Sequence, residues 1–112
     1  MFPKKNRIDR KIIDKIFKEG RFVNSSNLTF KFLVENGSNR RISFIAPKSA
    51  AKLAVKRNLL RRRGYSALER HIEQFPPGLF GVFIFKKAIN SVFEIENEIK
   101  NILNKLTPSK RI

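Results

Sequence analysis

A chain of 112 residues with 41% apolar content, eleven phenylalanines and no cysteine is sized for one domain, 1–112, and its composition excludes both a disordered chain and a disulfide-stapled scaffold. Twenty-five Lys and Arg against nine Asp and Glu leave a net charge of +16, which points to a polyanionic partner. No apolar run approaches bilayer length and none follows the basic residues of MFPKKNR, so a cytoplasmic protein without a membrane partner is expected.

Ile12, Ile13, Ile16 and Phe17 fall at i, i+1, i+4 and i+5, one apolar stripe, and Gly20 follows Glu19 as a stop signal. The spacing predicts a first helix from about Asp9 to Glu19. Phe22-Val23 admits a short extra strand. From Leu28 the chain alternates, with Leu28, Phe30 and Phe32 pointing one way and Thr29, Lys31 and Leu33 the other, until Glu35-Asn36-Gly37-Ser38 turns it in hairpin fashion. A return strand is expected over Arg40 to Ala46, ended by Pro47, which has no N–H for a ladder.

From Lys48 to about Glu73 the strand alternation disappears. Leu53, Leu60, Gly64, Ala67 and Leu68 instead mark one side of a second helix. Gly64 either lets that helix approach the sheet closely, kinks it or ends it early. Pro76-Pro77-Gly78 breaks the chain, and the apolar run Gly81 to Lys87 reads as a buried central strand. Ser91 and Glu94 have the spacing of a capping box that opens a third helix, striped by Ile95, Ile99, Ile102, Leu103 and Leu106. Glu94, Glu96 and Glu98 fall in its early turns, where the helix dipole favours acids. The fold class is α+β, in the order αββαβα, or αβββαβα with the extra strand.

Charge is uneven along this series. From Asn36 to Leu68 there are nine basic residues and no acid, and KLAVKRNLLRRRGY, Lys52 to Tyr65, holds six of them. At about 100° per residue, Arg57, Asn58, Arg61, Arg62 and Tyr65 share one continuous face of the second helix, while Lys52, Lys56 and Arg63 line another side. Guanidinium forks match phosphate oxygens, and no acid is spaced to pair with them along the helix. Asn58 adds a donor and an acceptor, suited to a 2′-hydroxyl or base edge, or simply to a local backbone contact.

The stretch PKSAAKLAVKRNLLRRR, preceded by the strand RRISFIA and by PKKNRI and DKIFKEGR, resembles the protein subunit of bacterial ribonuclease P over nearly the whole chain. The family's RNR motif maps onto Arg57 and Asn58, with Leu59 in place of its second arginine. Arg61 and Arg62 match the basic pair that follows, Lys52 matches an upstream lysine, and Tyr65 stands where a further arginine is usual. The resemblance implies a single domain with a four-stranded sheet, three helices and a left-handed βαβ crossover around the basic helix. It implies an RNA-binding helix at Lys52, Lys56, Arg57, Asn58, Arg61, Arg62 and Tyr65. It also implies a cleft for the 5′ leader of precursor tRNA at Ile13, Phe17, Phe30 and Lys31, although Phe17 and Phe30 also read as ordinary core residues, Phe30 first of all.

The implied partners are the catalytic RNA subunit and precursor tRNA, with no DNA. The protein itself would bind no cofactor, and Mg2+ would act through the RNA. The residues agree with a non-catalytic subunit of this endoribonuclease: His71 is the single histidine and reads as a cation near a helix end, and no nucleophile with a base, phosphate loop or metal-ligand spacing appears. The competing reading is a ribosomal-protein-like binder of ribosomal RNA, which would share size, charge and lack of cysteine. A helix-turn-helix DNA binder would need a short helix before the basic one, where this chain has a strand and Pro47.

Overall fold

The computed structural model describes Ile8 and residues 10–106; the leading PKKNR and Asp9 lie outside the described residues. Helix α1 spans Arg10–Glu19, and strands β1, Arg21–Asn24, and β2, Leu28–Val34, follow as an antiparallel pair. Strand β3, Arg41–Ile45, leads through α2, Ala54–Glu69, and a single 3-10 turn at Ile72–Gln74 to β4, Leu79–Phe85, and the chain closes on α3, Val92–Leu106. The sheet order is β1-β2-β4-β3, with β4 antiparallel to β2 and parallel to β3.

Thus β3 does not return beside β2 as the Asn36-Gly37 turn suggested, because β4 is inserted between them. The reason is legible in burial. β4 is apolar on both faces and nearly every residue is covered, so it fills an interior position beside β2, whereas β3, which carries Arg41, is left at the edge. β4 also begins two residues earlier than the apolar run indicated. Helix α2 is shorter at both ends than 48–73: residues before Ala54 form turns and bends, and Leu53 is 61% exposed rather than part of the buried stripe. Leu60, Gly64, Ala67 and Leu68 are buried as their spacing requires.

The two sheet faces do different things. One carries Leu28, Phe30, Phe32, Ile42, Phe44, Leu79, Phe83 and Phe85, packed under α2 and α3 in the main core. Phe30 stacks on Phe83 at 4.3 Å between ring centroids, Phe83 on Phe44 at 5.0 Å, and Phe75 meets Phe83 edge-on at 6.2 Å. Phe30, Phe75, Phe83 and Phe85 are fully buried, each worth about 2–3 kcal/mol of transfer free energy. The opposite face carries α1, where Ile16 and Val82 form a smaller cluster with Ile8, flanked by Ile12, Ile13, Leu33, Ile45, Phe80 and Ile84. The Ile8 N–H donates to the Ser43 hydroxyl at 2.8 Å, anchoring the start of α1 to β3.

Gly64 is there for close approach. A Cβ at this position would lie 2.6–2.9 Å from three carbons of the Phe44 ring, which Phe83, Phe85 and Tyr65 hold from other sides. Gly64→Ala is therefore expected to lower stability by about 1–2 kcal/mol, overpacking outweighing the roughly 1 kcal/mol that alanine gains in helix propensity. Thermal unfolding checks this; an unchanged or raised Tm would mean that the Phe44 ring moves aside freely.

Candidate nucleic-acid interface

Helix α2 starts against its own electrostatics. Its first turn has no acid, and Lys56 and Arg57 stand at the end where the macrodipole is already positive. Leu53, at the N-cap, has no side-chain acceptor to offer the first helix N–H groups. Such an arrangement weakens the isolated helix by tenths of a kcal/mol and strengthens its field toward a phosphate outside. Arg57 partly compensates by holding the entry loop: its guanidinium donates to the Ala51 and Lys52 carbonyls at 3.1 and 2.8 Å, leaving it half-buried.

Further along the same face, Arg61 donates to the Asn58 side-chain oxygen. Asn58, itself exposed, is thus a positioner of Arg61. Lys52, Lys56 and Arg62 are exposed, and Arg61 is half-buried. Tyr65 does something else. Its hydroxyl accepts the Phe44 N–H at 3.1 Å and its ring meets Phe44 edge-on at 5.2 Å, so it covers the free edge of β3. Tyr65 is thus held against β3 and half-buried there. Arg63 leaves this face altogether and donates to the Ile89 carbonyl at 3.1 Å, tying α2 to the loop before α3.

A second basic and aromatic site lies on the α1 face of the sheet. Strand register sets Phe22, Lys31, Val82 and Ser43 side by side as one rung, and Asn24, Thr29, Ile84 and Ile45 as the next rung on that face. Helix α1 covers Val82 and Ser43 but leaves Lys31 half-buried and Phe17 45% exposed, with the Lys31 ammonium 4.9 Å from the centre of the Phe17 ring. Ile13 is half-buried against the Ile8, Ile16 and Val82 cluster on the same face of the sheet. Phe30 is not on this face; it alternates to the opposite one and is fully buried there. Glu35, on the last stretch after β2, is taken up by Lys15, whose ammonium donates to it at 3.1 Å. That hydrogen bond and the charge of Glu35 raise the Lys15 pKa above its ordinary value.

The third-helix acids are dispersed among structural tasks. Ser91 Oγ accepts the Glu94 N–H at 3.0 Å, as a cap should. Glu96 lies 3.4 Å from Arg70 and 3.6 Å from His71, which is buried just past the end of α2. Glu98, also buried, receives hydrogen bonds from the turn between β1 and β2. Among the described residues no group of three or more His, Cys, Asp and Glu could hold a metal ion, and no helix is long and apolar enough to cross a membrane. Sequence reasoning passed over Phe22, because only the β1–β2 register reveals that it stands opposite Lys31.

A basic helix, and on the other side of the sheet an aromatic ring paired with an ammonium, are both carried on a small α+β domain. The family is specific: a model described as Ribonuclease P matches residues 2–107, and the chain belongs to that family. The fold is that of the RNase P protein of Staphylococcus aureus, with a TM-score of 0.77 at 17% identity over 91% of this chain and 95% of that one. It is equally that of the RNase P protein from Thermotoga maritima, with a TM-score of 0.76 at 21% identity over 88% and 96% of the two chains. No curated protein sequence matches the chain.

Proposed function

We propose that this chain is the protein subunit of a bacterial-type ribonuclease P, binding the catalytic RNA through α2 and the 5′ leader of precursor tRNA through the groove beside α1. The observation that carries the reading is the pairing of exposed Phe17 with Lys31 on the sheet, separate from the arginine-bearing face of α2. A ring and an ammonium side by side serve a single strand of any sequence, since every base has a face to stack and every linkage a charge. Duplex tRNA offers no such unstacked base.

In this reading the protein supplies affinity and position, and the RNA with its Mg2+ supplies the chemistry of leader removal. The place of the reaction is the cytoplasm. The test is cleavage of a precursor tRNA by bacterial ribonuclease P RNA at low Mg2+, with and without the protein. Correctly placed cleavage rescued by the protein supports the assignment; equal affinity for that RNA and for ribosomal RNA, with no rescue, sinks it.

The groove has its own test. Phe17→Ala and Lys31→Ala should each weaken the reconstituted enzyme's binding of precursor tRNA by about five- to tenfold and leave mature tRNA within twofold, because mature tRNA has no leader to stack. Equal losses for both substrates would show that the groove does not contact the leader.

A further inference from the structure

The aromatic content of the α1 face does not end at Phe17. Phe22, the second residue of edge strand β1, is 61% exposed and pairs across the strands with Lys31. Residues opposite each other in an antiparallel pair share a face, with Cβ atoms about 5 Å apart. The Lys31 ammonium therefore has Phe17 on the helix side, 4.9 Å from its ring centre, and Phe22 on the edge side. An exposed phenylalanine on an edge strand is costly in water and invites strand pairing with another chain, so its placement beside a cation calls for an occupant.

Charge selects among occupants. The domain carries +16, so a second copy of this chain would bring another strongly cationic surface to the same edge, whereas a single RNA strand brings phosphate for Lys31 and a base for each ring. The next rung supplies hydrogen-bonding groups, since Thr29 Oγ1 donates to Asn24 Oδ1 at 2.7 Å and both side chains lie on the same face toward the β1 edge.

We propose that Phe22 is a second stacking platform for single-stranded RNA. It extends the leader site from α1 across Lys31 to the free edge of the sheet, so that the site engages at least two consecutive unpaired nucleotides. This rests on the leader reading above and adds a residue and a direction to it. The strand runs from Phe17 over the Lys31 ammonium, which takes the intervening phosphate, to Phe22.

The experiment measures affinity of the reconstituted enzyme for precursor tRNAs with leaders of one to six nucleotides, using wild type, Phe17→Ala, Phe22→Ala and Phe22→Trp. Wild-type affinity should rise with leader length. Phe22→Ala should match wild type for the shortest leader and fall about tenfold behind for the longer ones, and Phe22→Trp should restore the gain. Phe22 is exposed, so the alanine variant keeps the core intact, which its thermal unfolding verifies.

Phe22→Ala following wild type at every length would overturn the proposal, as would a loss of the same size with mature tRNA. So would a wild-type dimer in sedimentation that Phe22→Ala makes monomeric, since the edge would then serve self-association. If Phe17→Ala also follows wild type at all lengths, the leader reading itself fails; Phe17 sensitivity with Phe22 silent removes only the extension.

Discussion

Glu98→Ala should destabilise the protein by about 3 kcal/mol, a loss of the size expected for truncating a buried aliphatic side chain. Glu98 is buried in the second turn of α3, yet its carboxylate receives the Ser25 hydroxyl, the Asn27 N–H at 3.0 Å and the Asn27 side-chain amide at 3.2 Å. Hydrogen bonds to a charged acceptor are worth about 1.5–3 kcal/mol each and are not additive, and their loss strands donors in a half-buried turn. The turn is held from elsewhere too: the Lys86 ammonium donates to the Ser25 carbonyl at 3.1 Å, and Lys105 donates to that of Asn24. These contacts cap the loss without replacing the acceptor.

Chemical denaturation reads the effect directly, and a change below about 1 kcal/mol would show that water satisfies the turn. Glu98→Gln should fall between, since an amide keeps one acceptor oxygen but turns an NH2 toward donors. Because this turn joins β1 to β2, Glu98 variants should also loosen the edge that carries Phe22.

Arg57→Ala should weaken binding to the catalytic RNA more than any other exchange on α2, by about tenfold or more, because two effects coincide. It removes a guanidinium from the basic face, and it releases the Ala51 and Lys52 carbonyls that the same group holds. Arg62→Ala is the electrostatic control: Arg62 is exposed at the outer surface of the helix, so its removal should lower affinity modestly and reduce the slope of log affinity against log salt by about one phosphate contact. For Arg57→Ala the affinity loss should exceed what its change in slope accounts for. Arg57→Lys, which keeps charge but not the fork, should recover the slope and only part of the affinity. Identical salt slopes for wild type, Arg57→Ala and Arg62→Ala would remove α2 from the RNA interface.

Much of this was legible in the residues. The apolar stripes of α1 and α3, the alternation of β2 and the acid-free basic run of α2 each report a local periodicity, and local periodicity survives without knowing what lies opposite. The resemblance located the RNR-like segment for the same reason, since its residues are contiguous. The misreadings share one cause. Asn36-Gly37 looked like a hairpin turn because turn chemistry is local, while the choice of β4 as the neighbour of β2 depends on which strand can be buried on both faces. Phe30 admitted both a cleft and a core reading until packing placed it in the core, and Tyr65 is held against the β3 edge. Glu98 looked like a dipole partner because its distant acceptor role spans more than seventy residues of sequence.

The sequence by itself determined a single basic α+β domain and the helix that concentrates its charge, because net charge and helical spacing are properties of the chain alone. Only the tertiary structure decided that β4 divides β2 from β3, that Gly64 admits the Phe44 ring, and that Phe17, Lys31 and Phe22 converge on one face. Those depend on strand register and on the distance at which a helix can settle on a sheet, and both are set by contacts between residues far apart in the chain.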